Sequence, residues 1–328
     1  MRKFLLTFII FAMFAGTTVP ANAATPQDLN TPIARAASYL QRNVRNPQVG
    51  SVGGEWTIIA LARSGRPVPN TYFQQYFRNV ERYVRENNGV LDERRLTEYS
   101  RVILALTATG FDPRNIAGHD LTLPLGDFER TTWQGINGAI FALLALDSLD
   151  YEIPINRHAE TMSTRALFVN DILRQQTPDG GWNLRGETGD PDITGMALQA
   201  LAKYQDNPEV EAAIDRALDF LSGIQDENGG FTGRISGSEP SIESAVQVLV
   251  ALTELGIPLD DPRFVKNGHT VLDNVLSFQL ADGSFRHTTD STESNIMSTE
   301  IGLYGLVAAQ RSIDGRNSLY RMNDRVVR

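Results

Sequence analysis

The stretch QQTPDGGWNL at residues 175–184 is one of three copies of a short pattern. It returns as IQDENGGFTG at 224–233 and as FQLADGSFRH at 278–287, each with Gln, three residues, Gly, one residue and an aromatic. A unique catalytic loop has no reason to recur, whereas a repeat protein needs one joint per unit. We therefore expect each copy to end an outer helix, with Gly supplying a positive φ and the aromatic ring packing back onto the repeat.

Six segments before and after these joints have the pattern of buried helices. They start with polar residues, are apolar nearly all round, and cover residues 54–65, 97–110, 137–148, 192–204, 243–256 and 298–310. A more amphipathic segment precedes each one, and the third of these, at 115–128, is interrupted by Pro124. The chain thus alternates outer and inner helices six times, and closing such a stack into a ring covers both of its ends.

Aligning the six inner segments on their central leucines predicts where the helices begin. Thr97, Asn137 and Asp192 share one column, and these residue types are favoured helix N-caps. Glu55 and Glu300 share the column three residues later, where a capping-box glutamate stands. We therefore expect six helix starts at one end of the ring.

The first 23 of the 328 residues have the pattern of a secretory signal peptide. A basic start is followed by an apolar run of about thirteen residues, too short to cross a bilayer comfortably, and by a small-residue end at Ala23. Its removal leaves 28 of the 30 basic residues against 39 acidic ones, which excludes a nucleic-acid partner because phosphate contacts need clustered cations. The absence of cysteine excludes disulfides and thiolate metal sites. We expect a secreted or cell-surface monomer with no later membrane span and no cofactor.

Residues 220–231, FLSGIQDENGGF, resemble the prenyltransferase and squalene cyclase repeat family, whose motif is aromatic-Leu-x3-Gln-x3-Gly-x-Trp, with Phe231 in place of Trp. The resemblance implies an all-α fold, an α/α toroid with inner and outer rings of six helices, at residues 24–318, followed by a tail at 319–328. The zinc-dependent prenyltransferases of the family bind metal through Asp, Cys and His. That branch is excluded here, because the chain has no cysteine and its four histidines form no metal-spaced pair.

A second branch of the family, the class II terpene cyclases, protonates its substrate with the middle acid of Asp-x-Asp-Asp-Thr. The stretch DPDIT keeps Asp190, Asp192 and Thr194, while Ile193 replaces the last acid. The resemblance implies that Asp192, with Asp190 beside it, is the catalytic acid. The alternative is that Asp192, after Pro191, caps the helix that follows it.

A third branch, the α-domain of the cobalamin carriers transcobalamin and intrinsic factor, shares the toroid without catalysis. The stretches 53–65, 97–115 and 261–268 are similar to bacterial cell-envelope relatives of that group. This resemblance implies a non-catalytic protein that binds a small-molecule or cell-envelope ligand. The ligand class stays open among a corrinoid, a glycan and a peptide.

The end of the ring at which the inner helices begin is the predicted site. Its candidate ligand-binding residues are Glu55, Trp56, Glu98, Tyr99, Asn137, Asp192, Glu243 and Glu300. Our main interpretation is ligand binding without catalysis, and the alternative is a terpene-cyclase-like enzyme using Asp192. Glu98 and Asp192 could also form the carboxylate pair of a glycoside hydrolase. His287 is assigned no role.

The signal peptide makes the first testable prediction. Expression in a secreting bacterial host should release a protein whose N-terminus is Ala24, because the small residues at 21 and 23 fit the cleavage site. N-terminal sequencing of the exported protein checks this. A protein that stays in the membrane fraction with Met1 intact would show that the segment is an anchor.

Overall fold

The computed structural model describes residues 28–233 and 239–327, so the predicted signal peptide at 1–23 lies outside the described residues. This part of the chain contains twelve α-helices. They are α1 (Asn30–Asn43), α2 (Trp56–Arg63), α3 (Asn70–Glu86), α4 (Leu96–Ala108), α5 (Phe128–Thr132), α6 (Ile136–Asp147), α7 (Arg165–Arg174), α8 (Pro191–Leu201), α9 (Pro208–Ile224), α10 (Ile242–Glu254), α11 (Val271–Ser277) and α12 (Ile296–Ile313).

The even-numbered helices form a closed inner ring. Each packs against the next in the series α2, α4, α6, α8, α10 and α12, and α12 packs against α2. The odd-numbered helices alternate with them along the chain. The predicted all-α fold, an α/α toroid, is confirmed.

The third outer element is the short one, as Pro124 led us to expect. A 3-10 turn at Leu123–Gly126 contains this proline and precedes the five-residue α5. Two short strands, Val265–Lys266 and His269–Thr270, pair antiparallel before α11. None of the helices in the described ranges has both the length and the apolar character needed to cross a membrane.

Small residues let the inner helices approach one another closely. A Cβ on Gly195 would lie 2.7 Å from the carbonyl oxygen of Gln247 on α10, and one on Gly305 would lie 2.9 Å from a methyl carbon of Val246. Real Cβ atoms do not come so near, and burial of the surrounding aliphatic side chains is the main favourable term for such a ring. The Ala and Gly content of the inner segments therefore reflects helix contact.

The three repeated joints share one hydrogen-bond arrangement. Each glutamine side-chain amide donates to the carbonyl of the glycine in its own turn and to a carbonyl in the next outer segment, over 2.8 to 3.3 Å. The pairs are Gln176 with Gly180 and Ala213, Gln225 with Gly229 and Phe264, and Gln279 with Gly283 and Pro32. The third joint thus connects the last outer segment to the first one.

The joint glycines close a separate turn; they do not end the helix themselves, which corrects our expectation. In the first joint α7 ends at Arg174, and the turn is made by Thr177 and Gly181, whose backbone N–H and C=O bond at 2.9 Å. The expected positive φ is present, with values of 92°, 79° and 94° at the three glycines. The aromatic residues that follow, Trp182, Phe231 and Phe285, are fully buried.

The residues after α12 fold back across the far end of the ring. Arg63 and Arg311, each 2 % exposed, bond the carbonyl oxygens of this segment and share the carboxylate of Asp324. On the other side, Glu254 accepts hydrogen bonds from Ser318 Oγ at 2.6 Å and from the Tyr320 backbone N–H at 3.1 Å. The segment 317–324, which we call the strap, therefore covers the C-terminal ends of several inner helices.

Substitution of a joint glycine tests this account of the fold. In Gly229→Ala the residue would keep a φ of 79° and its Cβ would lie 2.5 Å from the carbonyl oxygen of Thr270. We expect the free energy of unfolding to fall by about 1–3 kcal/mol, measured by urea denaturation. Gly223→Ala is the matched control, because this glycine lies in α9 with open space around it and alanine favours helix. Equal losses in the two variants would contradict the joint.

Candidate functional site

The N-terminal turns of the six inner helices lie at one end of the ring, which we call the mouth. The sequence predicted N-caps at Thr97, Asn137 and Asp192. Each of these is the second residue of its helix. The side-chain caps of the last three inner helices are Asp190, Ser241 and Asn295. Because proline is favoured at the first helical position, Pro191 fixes the start of α8 directly after Asp190. The predicted cap at Asp192 is therefore wrong.

Asp192 does not cap the helix, and its side chain is largely removed from water. Asp190 performs the capping, accepting from the backbone N–H of Asp192 at 2.9 Å. Asp192 receives a hydrogen bond from Ser244 of α10, and its Oδ1 is buried without a partner. Burial raises the pKa of Asp192 to about 6, with smaller contributions from the charges of Asp190 and Glu243. A carboxyl with this pKa is half protonated near pH 6 and largely ionised at pH 7.

Glu243 and His287 form a pair beside Asp192 that the sequence did not reveal. His287 Nδ1 lies 2.7 Å from Glu243 Oε2, and Ser298 Oγ of α12 donates to Glu243 Oε1 at 2.6 Å. The histidine was assigned no role because nothing within its own repeat marks it. Its partner is 44 residues away and becomes a neighbour when α10 packs near the turn that follows the third joint.

Glu55 and Glu300 are buried acids that hold the loop before α2. Glu300 Oε1 accepts from the Gly53 backbone N–H at 2.9 Å and from Thr57 Oγ1, and Glu55 Oε1 accepts from the Gly50 N–H at 2.9 Å. Neither makes the expected capping box. Their exposed fractions are 1 % and 0 %, and burial raises the pKa of each to about 7.

The remaining predicted residues either form ion pairs or are buried in the core. Glu98 pairs with Arg101 and Arg95 on and beside its own helix, and the carboxylate next to Asp192 is Glu243. The glycosidase pair of Glu98 and Asp192 suggested from sequence stays a prediction, and Glu243 is a second candidate partner for Asp192. Tyr99 is buried and its hydroxyl accepts from the Leu91 N–H at 2.9 Å, while Asn137 Oδ1 is buried without a partner.

Aromatic side chains occupy the interior of the inner ring. The Trp56 ring centroid lies 5.6 Å from that of Tyr304 and 6.2 Å from that of Phe141. The Tyr304 hydroxyl bonds Gln199 Oε1 at 3.1 Å and the Tyr320 hydroxyl at 2.6 Å. A cavity of about 200 Å³ lies beyond this group, at the far end of the ring, and its lining includes none of the predicted site residues. Within the described ranges, no cluster of three or more His, Asp or Glu is placed to hold a metal.

Comparison with known proteins gives a family match. The family model of the prenyltransferase alpha-alpha toroid domain matches residues 125–239 and 194–316, which together extend over more than half of the chain. No curated protein matches the chain by sequence.

Enzymes are among the solved structures with the same fold. A type II terpene cyclase from Scytonema, in complex with its substrate geranylgeranyl dihydroxybenzoate, is 15 % identical with a TM-score of 0.54, over 87 % of this chain and 98 % of that one. The unsaturated glucuronyl hydrolase of Bacillus sp. GL1 is 11 % identical with a TM-score of 0.58, over 90 % and 100 %. A possible GH105 member from Salmonella enterica is 10 % identical with a TM-score of 0.50, over 93 % and 100 %.

Two expectations from the sequence change in the light of these matches. The interpretation as a non-catalytic binding protein is contradicted, because the solved structures described above are terpene cyclases and glycoside hydrolases. The relation to cobalamin carriers has no support in the comparisons.

The buried acids predict how stability depends on pH. Glu300 has a pKa of about 7 in the folded chain against an ordinary value of 4.5, so its stabilising contribution is complete below about pH 4.5 and is lost as the pH rises through 7. The ionisation should cost up to about 3 kcal/mol. Glu300→Gln should therefore flatten the fall in unfolding free energy between pH 5 and 8, measured by denaturant titration. The exposed Glu152→Gln is the control, and an unchanged slope in Glu300→Gln would refute the assignment.

Proposed function

This chain belongs to the prenyltransferase α/α-toroid domain family, and from that premise we propose that it is an enzyme whose proton donor is the carboxyl of Asp192. The observation that carries the proposal is the state of this side chain. It lies at the mouth, is relieved of capping by Asp190, and keeps one oxygen buried without a partner.

The environment of Asp192 suits general acid catalysis. An acid works best when its pKa lies near the operating pH, so that the protonated form is populated and can still release its proton. Burial brings the pKa of Asp192 to about 6. Glu243 nearby is held by Ser298 and His287, so two carboxyl groups in different environments meet between α8 and α10.

We propose an isoprenoid as the first substrate class. Asp190, Asp192 and Thr194 occupy three positions of the cyclase acid motif, and the family and the Scytonema cyclase belong to isoprenoid chemistry. Protonation of a carbon–carbon double bond leaves a carbocation, and aromatic faces stabilise cations. Trp56, Phe141 and Tyr304 would supply such faces inside the ring.

A second substrate class, a glycoside, is favoured by the pairing of Asp192 with Glu243. Hydrolysis of a glycosidic bond uses two carboxyl groups, one of which donates a proton, and Asp192 with Glu243 nearby supplies two such groups. Ile193, in the position of the missing acid of the cyclase motif, is buried in the core at 2 % exposure. Protonating a glycosidic oxygen requires a weaker acid than protonating carbon. A glycosidase reaction therefore tolerates isoleucine in the place of the last acid of the cyclase motif.

We further propose that the enzyme is exported and acts as a monomer on a small molecule outside the cytoplasm. The basis is the apolar segment at 1–23 and the acidic composition of the remaining chain. Neither feature alters the chemistry assigned to Asp192.

Replacement of Asp192 tests the function. Purified protein should convert squalene or geranylgeranyl dihydroxybenzoate, or else an unsaturated glucuronyl disaccharide, with a rate that falls as the pH rises through about 6 because the donor loses its proton. In Asp192→Asn we expect kcat to drop by roughly 100- to 10,000-fold with product formation followed by mass spectrometry. The substrate that is converted identifies the class.

Two comparisons make this test specific. Asp192→Glu keeps a carboxyl and should retain part of the activity, whereas Asp192→Asn should not. Because Asp190 is the cap, Asp192→Asn should leave the melting temperature nearly unchanged. Full activity in Asp192→Asn would show that another group donates the proton.

A further inference from the structure

The turn after the third joint places an imidazole over the start of α10. The Ile242 backbone N–H donates to the His287 carbonyl at 3.1 Å, and Ser241 pairs with Thr288 in an antiparallel bridge. These bonds fix the backbone of His287 against the cap of α10. The side chain is 35 % exposed, so the ring reaches solvent at the mouth.

Glu243 fixes the orientation and the proton position of this ring. Its Oε2 lies 2.7 Å from His287 Nδ1, and its Oε1 is held by Ser298 Oγ at 2.6 Å. This contact favours the neutral tautomer with the proton on Nδ1, because carboxylate oxygens accept hydrogen bonds, and in that tautomer Nε2 keeps its lone pair. A carboxylate behind an imidazole is the arrangement that serves a general base, since it stabilises the imidazolium that forms.

The pair is adjacent to the donor described above. α8 and α10 pack side by side, and Ser244, the residue after Glu243, donates to Asp192 across them. Among the residues that the structure describes, Glu243 on α10 contacts His287, and Asp192 on α8 lies near enough to interact with its charge. Its chain neighbour Arg286 directs its guanidinium to the carbonyls of Ser277 and Ser291.

We propose that His287 Nε2 accepts the proton that the substrate releases in the reaction that Asp192 initiates, with Glu243 as its positioning residue. This proposal rests on the proposed function and adds the base that takes up the proton leaving the substrate. Asp192 first gives a proton to the substrate, which becomes a cation. A C–H bond next to the cationic carbon then breaks: its proton goes to Nε2, and its electron pair forms the new double bond. With a glycoside, the proton comes from the attacking water, and Glu243 acts on it through His287. The imidazolium returns its proton through solvent to the Asp192 carboxylate, so the enzyme ends as it began.

Chemical rescue tests the assignment. In His287→Ala we expect kcat for the converted probe to fall by roughly 100- to 10,000-fold with KM little changed, and added imidazole to restore part of the rate in proportion to its concentration. The exposed His158→Ala should behave as wild type and show no response to imidazole. Glu243→Gln should lower kcat rather than raise KM. Added imidazole should not restore kcat in this variant, because the imidazole ring of His287 is still present.

Activity of His287→Ala close to that of wild type would overturn the proposal, and so would a loss that imidazole does not restore. His287→Gln, which keeps a polar side chain of similar reach, replaces the alanine variant if that one fails to fold, with the same loss of kcat expected and wild-type activity again overturning the proposal.

A measurement that needs no turnover separates this inference from the proposed function. Diethyl pyrocarbonate acylates accessible unprotonated imidazole nitrogen, so His287 should be modified in the wild-type protein, as mass spectrometry of the peptides would show. Protection of His287 would overturn its role as a base whatever the activity. Modification of His287 together with no turnover of any probe would instead reject the proposed function and leave the accessible Nε2 established.

Discussion

Closure of the ring depends on contacts between the first and the last repeats. Gln279 donates its side-chain amide to the carbonyl of Pro32 at 2.9 Å, and α12 packs against α1 and α2. A stack of helical hairpins that remains open exposes an apolar face at each end, and closure buries both faces against each other. The same glutamine arrangement occurs at the two preceding joints, where it connects neighbours in sequence. At the last joint the same glutamine hydrogen bonds therefore connect two segments that are far apart in the sequence.

Closure also explains the electrostatics of the mouth. Bringing six helix starts together removes water from the side chains there, and carboxyl groups respond with raised pKa values. Glu55, Glu300 and Asp192 all show this response, although they are used differently. All three have one buried oxygen without a partner, but Glu55 and Glu300 are fully buried and bonded to the loop before α2, whereas Asp192 is partly exposed. Desolvation is thus general at the mouth, and a proton is available to a substrate where the residue is also partly exposed.

The sequence predicted what depends on local pattern. Helix order and the three joints follow from the apolar spacing and from the Gln and Gly positions, which act within one hairpin. The start of α8 was misplaced by two residues, although Asp190 before Pro191 carried a usable signal, since proline favours the first helical position. The Glu243–His287 pair could not be predicted, because it joins two repeats and depends on how tightly the ring closes. The same holds for Arg63 and Arg311, whose burial against the strap requires the complete ring.

The strap has a consequence for the proposed reaction. Tyr320 joins Tyr304 and Gln199 through hydroxyl and amide groups, so this cluster connects the strap at the far end to the aromatic side chains inside the ring. A substrate of the proposed enzyme would therefore enter by the mouth, and its product would leave the same way. A molecule of product that has not yet departed would block the next substrate, so product should inhibit competitively.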